Sequence, residues 1–164
     1  DSLALLSKGK DSVFTKKNVR QDDGTVKSEY DTDAIYKAVS KFVKDYNSTI
    51  ESAASSEDSS VLSSTASMVK ATKANSNLLA DVGISIGSDN KLTIDEKAFK
   101  SANMTDVKSI FNGTGSYAYG IASSSSNIYN KSVSQLANLN GYSYTSTGSY
   151  SSYQYTGSLY SQYK

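Results

Sequence analysis

Cysteine, proline, histidine and tryptophan are all missing from this chain of 164 residues. Without cysteine there is no disulfide, no thiolate metal site and no cysteine nucleophile, and cysteine usage gives no clue to the redox compartment. Without histidine the chain lacks the commonest general base and the commonest metal ligand, so a Ser-His-Asp triad cannot form within it. A single arginine, Arg20, leaves bidentate recognition of phosphate or base edges poorly supplied. Charge of either sign is also scarce in net terms: 17 basic and 16 acidic residues give +1. A dedicated nucleic-acid binder would show a basic patch or stripe, so no nucleic-acid partner is expected. No apolar run approaches the ~20 residues that span a bilayer. The N-terminal DSLALLSKGK has no basic region ahead of its short apolar patch and does not read as an intact signal peptide. Asp1 in place of Met is read as a processed or trimmed start.

Serine, threonine and tyrosine are plentiful. Hydrophobic residues make up only 37% and mean hydropathy is -0.46, so much of the chain must be solvated. Residues 1–30 read as an irregular segment laid onto the core through Leu3, Leu5, Leu6, Val13 and Phe14. Within it, Asp23-Gly24 between short β-like runs predicts a small hairpin over Gln21–Tyr30. Asp31–Ala54 is the clearest helix. Asp31, Thr32 or Asp33 caps it, and Ile35, Val39, Phe42, Tyr46 and Ile50 form one apolar stripe on a 3.6-residue period. Ser55–Ser60 is a break. A second helix is predicted over Ser60–Asp81, antiparallel to the first because the connection is short.

Leu78–Phe111 is the stretch where most signals agree. Val82–Ile86 and Lys91–Ile94 alternate as two strands of a hairpin, joined by a turn at Gly87–Asn90. Asp95 caps a short helix over Asp95–Ala102, and Thr105 caps another over Thr105–Asn112. Tyr117–Leu139 reads as a third long helix with Tyr117, Ile121, Ile128, Tyr129, Val133 and Leu136 on one stripe. From Asn140 the chain becomes a low-complexity tail holding seven of the 13 tyrosines, in which Thr-Gly-Ser-Tyr at 147–150 recurs with one insertion at 156–160. The fold class is therefore α+β and mostly helical: antiparallel long helices with a small β-hairpin and short helices, plus the tail. Ile35, Val39, Phe42, Tyr46, Ile84, Ile86, Leu92, Ile94, Phe99, Val107, Ile110 and Phe111 are the predicted core.

Little of this carries chemistry. The carboxylate pairs Asp22/Asp23, Asp31/Asp33, Glu57/Asp58 and Asp95/Glu96 sit in turns or at helix starts, where aspartate is already wanted as a cap. Gly87–Glu96 offers oxygen ligands but fails the calcium-loop pattern, with Lys91, Thr93 and Ile94 where two ligands and a glycine belong. Gly113-Thr114-Gly115 lacks the Lys-Ser or Lys-Thr of a phosphate loop and reads as a helix-initiating turn. No catalytic, cofactor-binding or metal residue is assigned, and an enzyme is not expected. Glycosylation sequons occur at Asn47, Asn103, Asn112 and Asn130.

Four segments share an order and spacing with a known family. Ala34–Asn47 (AIYKAVSKFVKDYN), Leu79–Ile84 (LADVGI), Asn90–Asp95 (NKLTID) and Asp106–Asn112 (DVKSIFN) resemble the C-terminal region of the bacterial flagellar filament-capping protein, hook-associated protein two. The likeness covers about residues 31–130. It implies a secreted, enzymatically inert assembly domain, at the flagellum or cell surface, with flagellin or copies of itself as partners and no cofactor. On that basis the chain divides into 1–30, a flagellar-cap-like domain over 31–139 and the tail over 140–164. The family's large middle domains and heptad-patterned terminal helix have no counterpart among these 164 residues. The second reading is a surface binding module whose tail tyrosines, Tyr142, Tyr144, Tyr150, Tyr153, Tyr155 and Tyr160, contact a glycan or another protein; tyrosine with serine and glycine makes rigid yet adaptable contact area.

Overall fold

Asp31 starts the first long helix by accepting a hydrogen bond from the Ala34 amide at 2.9 Å on its side chain, satisfying one of the donors left open at a helix N-terminus. The structure, a computed structural model, describes residues 12–139, 142–144 and 150–152, with no account of side chains beyond residue 135. The described elements are a hairpin of β1 (Lys17–Arg20) and β2 (Val26–Glu29), helices α1 (Thr32–Ala54), α2 (Ser59–Ala74) and α3 (Ser76–Asp81), a second hairpin of β3 (Ile84–Ile86) and β4 (Leu92–Ile94), helices α4 (Glu96–Ser101), α5 (Met104–Phe111) and α6 (Tyr117–Leu139), and a third hairpin of β5 (Tyr142–Tyr144) and β6 (Tyr150–Ser152). Each sheet is a two-stranded antiparallel pair. The protein is thus an α+β fold dominated by helix. It forms two units, Asp1–Ile128 and Tyr129–Lys164, which divide within α6.

In the first unit α1 is the centre. Its predicted stripe is buried, from Ile35 and Val39 through Phe42 and Tyr46 to Ile50. Phe42 meets Phe111 of α5 at 5.5 Å and Tyr117 of α6 at 6.0 Å, both edge-on, and Phe111 meets Tyr117 at 6.4 Å. Such aromatic pairs add about 0.5–1.5 kcal/mol each beyond the area they bury. α2 returns antiparallel: Thr72 lies beside Tyr46, while Leu62 and Val69 share a groove with Ile50 and Ala53. Val61, Met68 and Thr72 are its buried face. The predicted hairpin forms with Ile84 opposite Ile94 and Ile86 opposite Leu92. Ile84 and Leu92 are buried; Ile86 and Ile94 pack half-buried against the core.

Gly83 shows why α3 can turn so sharply into β3. Its φ is +76°, and a Cβ there would stand 2.9 Å from both the Ala98 Cβ and the Phe99 amide nitrogen. Only glycine fits both the left-handed backbone and the close approach of α4.

Several boundaries differ from those read in the sequence. The second predicted helix is two helices, because Asn75 turns its side-chain amide back onto the Ala71 carbonyl at 2.8 Å and takes a non-helical backbone, the local competition expected of asparagine. The cap of α5 is Asn103, not Thr105: its Oδ1 accepts from the Thr105 amide at 2.9 Å, so the helix begins at Met104. The strands of the second hairpin are shorter than predicted, since Val82 ends α3 and the second strand begins at Leu92 rather than Lys91. On α6, Ile121 and Ile128 are buried as predicted, but Tyr129 is 68% exposed and Val133 44%. The hairpin at the chain's start is β1–β2, which extends back to Lys17 beyond the predicted range.

Candidate protein-contact surfaces

The acidic side chains hold the scaffold together. Asp58 accepts from the Ser60 and Val61 amides at 2.6 and 3.1 Å, and Asp95 from the Ala98 amide at 2.7 Å. Asp23 bonds both the amide and hydroxyl of Thr25, and these contacts, the hydroxyl first, lower its pKa. Asp89 accepts from the Lys91 amide at 3.1 Å within the turn. Lys100 reaches Asp33 and Glu96, each at 2.6 Å, and lies 5.3 Å over the Tyr36 ring. The Asp33 carboxylate first, then Glu96, raises the Lys100 pKa. Lys91 bonds Glu51 at 2.6 Å, which raises its pKa and ties the hairpin turn to α1. Among the described residues, no group of three or more carboxylates is arranged to hold a metal ion.

Asn47 makes the most specific contact between segments. Its Nδ2 donates to the Leu92 carbonyl at 2.9 Å, and its Oδ1 accepts from the Leu92 amide at 2.8 Å. The side-chain amide thereby occupies the open edge of β4 as a neighbouring strand would. Of the sequon asparagines, Asn47 is engaged in this clamp and Asn103 in its cap.

Between α1, α2 and α6 lies a small group of buried hydroxyls. Thr72, 0% exposed, bonds the Met68 carbonyl at 3.1 Å and the Tyr117 hydroxyl at 3.1 Å. The Tyr46 hydroxyl approaches Thr72 but has no partner in hydrogen-bond geometry. Burial raises the pKa of both tyrosines. Thr72 and Tyr46 are buried in the core, and Tyr117 packs half-buried against it.

The surface available for contact is elsewhere. A groove of about 510 Å³ runs between α1 and α2, floored by Ile50, Ala53 and Ala54 on one side and Leu62, Ala66 and Val69 on the other. Lys70 and Lys73 border it, and Asp89 and Asn90 of the hairpin turn touch it. Leu62 is 43% exposed. On a single helical period Leu62 and Val69 merge with Val61 and Met68 into one weak stripe. The structure resolves two stripes there, and the offset of one position between Val61 and Leu62, and between Met68 and Val69, is the signal that separates them.

The tail tyrosines fall in part on the third hairpin, whose register sets Tyr144 across from Tyr150 and Tyr142 across from Ser152. Tyr153, Tyr155 and Tyr160 lie outside the described residues, as do Leu3, Leu5 and Leu6. Among the described residues no helix is long and apolar enough to cross a membrane. No family model, curated protein or solved structure matches this chain.

Proposed function

We propose that this chain is an exported, non-enzymatic assembly domain of the filament-capping type, working through protein–protein contact with flagellin or with copies of itself. One observation carries the reading: the four segments that resemble the capping family pack together in one core, the first of them lying on α1 itself. Asn47, from the first, clamps Leu92 of the third. Phe42 packs on Phe111 of the fourth. Leu79, Val82 and Ile84 of the second are buried in the same core. Segments spread over some eighty residues thus form one packed unit, as residues of a shared fold would. The chemistry agrees, since the carboxylates near one another serve as caps and ion pairs. The test is fractionation of the producing cells and their sheared flagella, in wild type and in a flagellar-export mutant. Protein on sheared filaments that disappears in the mutant supports the role; protein on the cell surface regardless of export overturns it.

The second reading, a surface module binding through its tyrosines, draws support from the β5–β6 register, which gathers positions 142, 144 and 150 on one hairpin. Deleting residues 140–164 discriminates. Partner capture lost with an unchanged thermal midpoint favours the tail; capture retained favours the helical unit.

A further inference from the structure

Helix α2 carries a second stripe, on which Leu62, Ala66, Lys70 and Lys73 are exposed while Thr65 and Val69 are half-buried. Positions 62, 65, 66, 69, 70 and 73 line the groove, at spacings of three, one, three, one and three, which is one continuous helix face. Over that span an α-helix rises about 16 Å, or three turns. The stripe is graded. Leu62, Ala66 and Val69 give an apolar beginning, and the Thr65 hydroxyl is turned onto the Val61 carbonyl at 2.9 Å. Lys70 and Lys73 give a cationic end. Neither lysine is within ion-pair distance of a carboxylate among the described residues. Asp89, the acid at the groove, lies 3.9 Å from the Lys91 ammonium and accepts the Lys91 amide. Ala53, Ala54 and Ala66 are small enough for another backbone to come close.

We propose that this groove seats an amphipathic helix from another protein, about three turns long, with an acidic first turn, lying antiparallel to α2. The direction follows from charge. An antiparallel helix places its N-terminus beside Lys70 and Lys73, where carboxylates of its first turn meet both ammonium groups and are also favoured by their own helix dipole. Its N-terminus then lies beside the C-terminus of α2, so the two helix dipoles attract. Apolar residues at i, i+3 or i+4 and i+7 fill the Leu62–Val69 end, the usual grip of a helix in a groove. The described helices of this chain do not qualify. Those with an acid in the first turn are α1, α4 and α5, and their apolar faces are already buried in the core. α6 contains no acid at all.

This inference shares with the proposed function only the premise of protein contact, and its test uses the purified full chain, so its failure leaves the localisation experiment standing. The probe is a fluorescent three-turn peptide with leucines at helical spacing and two glutamates in its first turn, compared with the same peptide carrying the glutamates in its last turn. Anisotropy titration at low salt should show the first binding roughly five- to tenfold tighter, the scale of two exposed ion pairs. K70E/K73E should reverse that order, and Leu62→Glu should weaken both peptides while leaving the circular dichroism unchanged. Equal binding of the two peptides, indifference to K70E/K73E, or binding of dodecanoate with no binding of either peptide would overturn the proposal.

Discussion

Asn47 holds Leu92 by both of its backbone polar groups, donating at 2.9 Å and accepting at 2.8 Å across 45 positions of sequence. This side chain joins the Lys91–Glu51 ion pair in holding the β3–β4 hairpin against α1. Asn47→Ala leaves the Leu92 amide and carbonyl without these partners and should cost about 2 kcal/mol. In a chain of this size that lowers Tm by roughly 4–8 °C. Asn47→Asp keeps the acceptor only and should fall between the two. Calorimetry on the three proteins decides it; equal midpoints would show that solvent replaces the amide fully.

Tyr46→Phe should act in the opposite direction. The Tyr46 ring is buried at 1% exposure and its hydroxyl has no partner in hydrogen-bond geometry. An unsatisfied buried polar atom costs about 1–3 kcal/mol, so removing it should leave stability unchanged or raise it by up to about 1 kcal/mol. Urea unfolding measures this, and a clear loss of stability would mean that the hydroxyl is bonded after all.

Gly83→Ala should be among the most damaging single changes. It forces alanine to φ +76° with its Cβ 2.9 Å from Ala98 and Phe99, at a cost of about 2–4 kcal/mol. Gly24 has a comparable φ of +83° but open space around it, so Gly24→Ala should cost about 1 kcal/mol. The gap between the two midpoints isolates the close approach of α4 from backbone strain.

The pH dependence should have two limbs. Buried Tyr46 and Tyr117 hold their protons more tightly when folded. Above about pH 10, where an exposed tyrosine ionises, the unfolded chain binds fewer protons, so stability falls as pH rises. Lys100, its pKa raised by Asp33 and Glu96, acts in the same sense. Its ion pairs contribute fully below the unfolded pKa and are lost as pH climbs through the folded one. On the acid side, Lys17 first and the Ala34 amide second lower the Asp31 pKa. That stabilisation is present above the ordinary carboxylate value of about 3.9 and lost as pH falls through the folded value. Asp31→Asn keeps a capping oxygen without the charge and should flatten the acid limb. Urea midpoints from pH 2 to 11 check both.

Helix α1 was legible because one stripe of large apolar residues repeats at helical spacing. For α1 the predicted and observed faces coincide from Ile35 to Ile50, and α6 has the predicted ends. The β3–β4 hairpin was legible from alternation plus a turn. Short-range competition among polar side chains was not. Asn75 and Asn103 each redirect a backbone group by a single bond, and several neighbouring residues offered equivalent chemistry. The groove was hidden for a related reason: α2 has two apolar faces one position apart, and a single period cannot separate them. Nor could sequence show that Asn47 pairs with Leu92, because no local pattern marks a contact so distant along the chain.

The aromatic cluster has a consequence for a chain that emerges N-terminus first from the ribosome. Among the described residues Phe42 finds its ring partners at Phe111 and Tyr117, and Leu92, which Asn47 clamps, also follows α1 by some forty residues. Until that later stretch is made, α2 can cover the Tyr46–Ala53 end of α1, but the Phe42 ring lacks Phe111 and Tyr117. Part of the apolar face of α1 therefore stays uncovered until the chain has been made as far as Tyr117.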